Sequence, residues 1–302
     1  MQILKPIVHE TVWGGSKLTP FSGSTCEKIG HLYACIDNSS FKSEIISGSF
    51  SGKNIHDWFI SNRKRYGLEN YDELPVLMAL VEAADNLSIQ VHPDDEMAKR
   101  LIGKTFGKNE SFFTIEPPES GYMYNGCTAS SKQDMARLIS EARCLEGVDT
   151  LAIRKGDYVY VTGGTLHAAS RGSLSFEIEE NCDATYRFFD FNRIDKNGKK
   201  RPLQVEKALA CLNIHQKSSV RQYNGEEQIV ERMYSTQHLV GKKNFKNNES
   251  SFIIAVLIKG SKQINLNNLL PGCAVILEPG DQIDLDGCEW IFVRAVSYTH
   301  LT

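Results

Sequence analysis

The chain has 302 residues, with 34 Lys plus Arg against 37 Asp plus Glu and a formal net charge of -3. That near balance gives no electrostatic ground for nucleic acid or an anionic membrane and favours a small, locally recognised ligand. The length suggests two domains on a prior of roughly 100–200 residues each.

In chain order, short apolar runs bounded by Gly, Asn, Asp and Pro predict many strands, beginning with SEIISGSFSG and pointing to a sandwich or barrel. A helix is expected over Ile55 to Tyr66, with Trp58 and Phe59 near one face. LSIQVHPDDE follows as a strand whose alternation sends Ser88, Gln90 and His92 to one face and Leu87, Ile89 and Val91 to the other. Pro93 stops it, and Asp94 or Asp95 is placed to cap a helix beginning near Glu96. In FGKNESFFTIEPP, Lys108 and Glu110 share one parity and Phe113 and Ile115 the other.

A helix is expected from Asp134 to Leu145 after Ser130-Ser131, and another over Pro202 to Leu212 with Pro near its first position. Between them a strand from Tyr158 to Val161 ends at Gly163-Gly164, where a tight turn can bring His167 back over the sheet. GSLSFEIEEN reads as a further strand, and the basic run KNGKKR, Lys196 to Arg201, as a solvated loop without assigned function. The text turns polar from Ser218 to Ser251, so the boundary is set near Gln222, giving domains 1–221 and 222–302. SFIIAVLIKG, CAVILEPG and IDLDGCEWIFVRA then supply a second, smaller set of strands without a cluster of ligand residues, and SYTHLT follows as a frayed end or a tail foreign to the fold.

No run reaches the roughly 18 apolar residues of a membrane span, and the opening MQILKPIVHE lacks a basic segment followed by an apolar one. The eight cysteines are scattered, without a CxxC pair. Reduced thiols and a cytoplasmic location are expected.

Gln90, His92, Glu110 and His167 form a candidate ligand set. Two imidazoles, one carboxylate and one amide suit a borderline divalent ion such as zinc, with a position left open for water or substrate.

LKPIVHETVWGGSKL, LSIQVHPDDE, GKNE, GTLHAA and CDATYRFFDFNR, in that order, resemble the class I, zinc-dependent mannose-6-phosphate isomerases of the short bacterial type. The resemblance covers roughly the first two-thirds of the chain. It implies a mainly β fold: a cupin jelly roll, or double-stranded β-helix, with helical insertions and a second, smaller cupin-like β domain. It implies Zn2+ on Gln90, His92, Glu110 and His167, with Lys108, Arg187 and Asp183 as catalytic residues and Ser88, Lys108 and Arg187 contacting substrate. The implied activity is the interconversion of mannose 6-phosphate and fructose 6-phosphate through an enediol, in an enzyme whose partner is a small sugar phosphate. The alternative is a metal-binding cupin that senses a sugar or sugar phosphate without turnover. The chain departs from the family pattern at His31 and Tyr33, where G-E-x-W is usual, at Cys182 for serine, at Ala79 for the lysine of P-L-L-x-K, and at SFF after GKNE.

Overall fold

Alternation explains how the central sheet can be buried on both sides. Its antiparallel order runs Val220–Gln222, Asp157–Val161, Glu110–Glu116, Leu174–Glu180, Val76–Glu82, Ile29–Cys35 and Ile7–Gly15. Within Leu174–Glu180, Phe176 and Ile178 point to one side and pack with Leu80, Tyr234, Ile254 and Ile291. Ser175, Glu177 and Glu179 point to the other, at the same register as Val81, Ala79 and Leu77 on the neighbouring strand. Each fully buried Phe or Ile contributes about 1.5–3 kcal/mol of burial free energy, and that apolar face holds the sheet in place.

The computed structural model describes every residue except 196, 224, 242–243 and 297–302. Lys196, His300 and the SYTHLT terminus therefore lie outside the described residues.

Two further sheets sandwich the central one. On its apolar side lies a seven-stranded sheet in which Gln228–Val230, Tyr234–Val240, Glu289–Ala295, Ile253–Lys259 and Ala274–Leu277 are joined by Gln2–Leu4 and Ile45–Ser47 from the start of the chain. On its polar side lies a five-stranded sheet ordered Tyr186–Phe189, Ile89–Val91, His167–Ala168, Tyr122–Cys127 and Val148–Ala152. The mainly β architecture with helical insertions is the one expected.

The helices occur where periodicity placed them, with shorter spans. Ile55–Asn62 is α-helical and tightens into a 3-10 turn over Arg63–Tyr66, with Trp58 and Phe59 both fully buried. Asp94 caps Asp95–Ile102 by accepting the Met97 N–H at 2.8 Å. Ser131 caps Lys132–Ser140, which ends before Leu145 because the chain turns at Ala142, at φ 58°. Pro202 is outside its helix, which spans Val205–Cys211 behind Gln204. The Gln204 side chain instead accepts the Arg187 N–H at 3.2 Å, tying that segment to the site strand.

Candidate metal centre and active site

The site lies in the gap between the central and five-stranded sheets, a cavity of about 190 Å³. Strand pairing aligns its floor. Gln90 has the Cα of His167 opposite it on one side and that of Arg187 on the other, so the three side chains share a face. His92 continues the Gln90 parity just beyond the strand end. Glu110 arrives from the first position of Glu110–Glu116.

The turn before His167 needs both of its glycines. A Cβ on Gly163 would lie 2.6 Å from the Pro93 carbonyl oxygen, and Gly164 has φ +92°. The Gly164 N–H donates to the His92 carbonyl at 2.9 Å, fastening one histidine segment to the other.

Three ligand atoms from His92, Glu110 and His167 lie within 4.8 Å of one another, and all three residues are buried. The Nδ1 of His92 is 2.8 Å from the Ala184 carbonyl and that of His167 is 2.9 Å from the Thr165 carbonyl. A carbonyl only accepts, so both Nδ1 atoms carry the proton and both Nε2 atoms present bare lone pairs in the neutral rings. Those Nε2 atoms face the Glu110 carboxylate at 3.2 and 2.8 Å without forming a hydrogen bond to it. Electron pairs converging in a buried space call for a cation, and this donor set fits a divalent metal ion with histidines oriented by carbonyls behind them. Gln90 holds the adjacent position, its Oε1 accepting from Ser88 Oγ at 3.0 Å.

Lys108 Nζ is 3.2 Å from Glu110 Oε2 and in close contact with Glu179 Oε2. Burial opposes its charge, but Glu179 and Glu110 hold the ammonium above its ordinary range. Burial likewise opposes ionisation of Glu110, yet the Lys108 ammonium beside it helps to hold that carboxyl well below the usual carboxylate range. Burial of His92 brings its pKa down to about 4, so the ring stays neutral and able to ligate. Arg187 is half-buried with its Nε unpartnered, and burial together with the neighbouring Arg201 lowers its pKa. Asp183 lines the cavity but is exposed, and Ser88 is buried against Gln90. Cys182 also lines the cavity, its thiol pushed up to about 11 by burial.

The sequence reading gave several lining residues no role in the site. Glu177 is 4% exposed and has no ion pair among the described residues; burial, then Glu110 and Glu179, raise its carboxyl well above the ordinary range. His31 stacks on Tyr33 with ring centroids 5.2 Å apart and on His9 at 5.4 Å, forming an aromatic wall. Arg201, from the run read as a solvated loop, donates to Asp190 through Nε at 2.7 Å and lines the cavity. Period-two alternation in LSFEIEE was the available signal for Glu177.

The family model of the phosphomannose isomerase type I catalytic domain matches residues 1–110. GmuF of Bacillus subtilis (strain 168), named a probable mannose-6-phosphate isomerase, is 32% identical over 213 residues, or 70% of this chain and 68% of the relative. This chain belongs to the type I phosphomannose isomerase family. The mannose-6-phosphate isomerase ManA of the same organism is 29% identical over 211 residues, 70% of this chain and 67% of ManA. The crystal structure of the mannose 6-phosphate isomerase from Bacillus subtilis superposes with a TM-score of 0.77 at 28% identity, covering 97% of this chain and 99% of that one. A phosphomannose isomerase variant from Salmonella typhimurium, at 14% identity and a TM-score of 0.74, shares the fold. The cupin architecture implied by the motifs is therefore the one adopted.

Proposed function

We propose that this chain interconverts mannose 6-phosphate and fructose 6-phosphate, with zinc as its resident ion on Gln90, His92, Glu110 and His167. The observation that carries the reading is the pair of bare Nε2 atoms converging on Glu110, beside Lys108 and Arg187 in one cavity. When bound, such an ion supplies a Lewis acid that orients and polarises neighbouring substrate oxygens.

The protein groups divide the remaining work. Isomerisation removes a proton beside a carbonyl and returns it to the adjacent carbon, so negative charge builds on the sugar oxygens. Lys108, kept charged between Glu110 and Glu179, and Arg187, with an unused Nε–H, are placed to donate hydrogen bonds to those oxygens. Glu177 is our candidate for moving the proton: it is the buried cavity carboxyl with no ion pair among the described residues, and its raised pKa makes its carboxylate a stronger base. Asp183 and Ser88 line the same cavity, and Ser88 supports Gln90.

We further propose two units, 1–221 and 222–302, with the boundary at the edge strand Val220–Gln222 and the first unit lending Gln2–Leu4 and Ile45–Ser47 to the sheet of the second. A cytoplasmic location is supported by eight unpaired cysteines; no helix among the described residues is long and apolar enough to cross a membrane. A coupled isomerase assay with elemental analysis tests the reading. Turnover that disappears on chelation and returns with zinc is expected; metal without turnover would favour the sugar-sensing alternative.

A further inference from the structure

The turn between strands Gln228–Val230 and Tyr234–Val240, in the sheet on the apolar side, reaches across to the back of the metal centre. Its Arg232 donates from Nε to Glu180 Oε1 at 2.9 Å and from Nη2 to Glu180 Oε2, while Nη1 bonds both Asp95 oxygens at 2.7 Å. Glu180 is fully buried. Its two oxygens also accept the Asn109 N–H and the Asn109 side-chain amide, each at 3.1 Å.

Each arm of this fork ends on a ligand-bearing segment. Asn109 lies between Lys108 and Glu110, and its Oδ1 accepts the Gly163 N–H at 2.8 Å on the turn that presents His167. Asp95 accepts the Gly107 N–H at 2.8 Å, and the Lys108 N–H donates to the Pro93 carbonyl, next to His92, at 2.9 Å. One guanidinium thus fastens the segments carrying His92, Glu110 and His167, although it touches none of those side chains. A planar fork can serve two carboxylates at once, which a lysine ammonium cannot do with the same geometry. Without it, Glu180 is a buried charge lacking its counter-ion, and the Asn109 clamp that it anchors loosens.

We propose that Arg232 is a positioning residue for the metal centre, supplied by the second β unit to complete the outer support of the ligands. This rests on the metal-centre reading above. Arg232→Met, Arg232→Lys, His92→Ala and Ile254→Val are compared by zinc competition against a chromophoric chelator, by the visible spectrum of the cobalt-loaded protein, and by melting of the metal-free form. Ile254 is a fully buried core residue of the same second sheet and controls for destabilisation alone. Arg232→Met is expected to weaken zinc binding about 10- to 100-fold, the usual effect of losing an outer support, and to alter the cobalt bands; Arg232→Lys should fall between it and the native protein. Ile254→Val should melt lower but bind zinc normally. If Arg232→Met does not fold, Arg232→Lys decides on the same two readouts. Native zinc affinity and native cobalt bands in folded Arg232 variants, while His92→Ala loses metal, would overturn the proposal. Native affinity in His92→Ala would instead overturn the metal-centre reading.

Discussion

His167 Nε2 sits 2.8 Å from Glu110 Oε1, and with the ring proton on Nδ1 this nitrogen faces the carboxylate as a second acceptor. His167 spends its ring proton on the Thr165 carbonyl, and Glu110 is held ionised although buried. Two acceptors are kept at this distance only because the backbone on either side fixes them: the Gly163-Gly164 turn behind His167 and the Asn109 clamp beside Glu110. The fold therefore holds the ligands in a geometry whose attractive partner is a cation.

The first consequence concerns metal retention. His92→Ala or His167→Ala removes one of four proposed ligands, so zinc affinity should fall by more than the ~10- to 100-fold typical of outer-support changes. His215→Ala, away from the cavity lining, should keep its zinc. Elemental analysis after dialysis distinguishes the two, and full zinc content in His92→Ala would reject the assignment.

Arg187 separates catalysis from ligation. Its Cα faces that of Gln90, and its guanidinium is the group we propose for the substrate oxygens. Arg187→Ala should fold and hold metal while turnover drops roughly 100- to 1000-fold, the usual cost of one charge-stabilising donor. A near-native rate at saturating substrate would remove this role.

Glu177→Gln keeps shape and removes the proposed proton carrier. We expect turnover to fall about 100- to 10,000-fold with zinc content unchanged. Exchange of the substrate C2 proton with deuterated solvent gives an independent reading, and exchange at the native rate in the variant would place the base elsewhere.

Ala79 is fully buried, with the Cα of Glu177 opposite on one side and that of Tyr33 on the other. No cation stands where the family pattern carries its lysine. A charged hydrogen bond is worth about 1.5–3 kcal/mol, so weaker discrimination between mannose 6-phosphate and mannose is expected than in relatives retaining that lysine. Ala79→Lys should raise the ratio of their kcat/KM values by about tenfold or more. A strong native preference, unchanged by the lysine, would mean that another cation serves the phosphate; Arg201 and Lys28 in the adjoining cavity are in place to do so.

Asp190 links stability to pH. Burial would raise its carboxyl, but hydrogen bonds from Arg201 and Arg193 prevail and hold it below the ordinary range. A depressed folded-state pKa gives stabilisation that is full above the unfolded value near ~3.9 and disappears as pH falls through the folded one. Asp190→Asn should therefore lose about 1.5–3 kcal/mol at neutral pH, nearer the lower figure because Arg201 is partly exposed. The melting curves of variant and native protein should converge in acid, below about pH 4. A gap that stays constant with pH would show that the lost contribution is not electrostatic.

By itself, the sequence determined which side chains travel together. Alternation in LSIQVH put Gln90 and His92 on one face, paired glycines announced the turn before His167, and Asp94 stood where a helix needed an oxygen for its free N–H groups. Tertiary structure decided what covers each face. In LSFEIEE the acids alternate with Phe176 and Ile178 as on any half-solvated strand, and only the five-stranded sheet laid over them makes Glu177 and Glu179 interior groups with displaced pKa values. Arg201 reads as part of a basic loop until Asp190 binds it, and Arg232 gives no local sign that it will meet Glu180 and Asp95, 52 and 137 residues away. Side-chain periodicity is set by bonds between neighbouring residues, whereas burial and charge pairing depend on segments that meet only when the sheets stack.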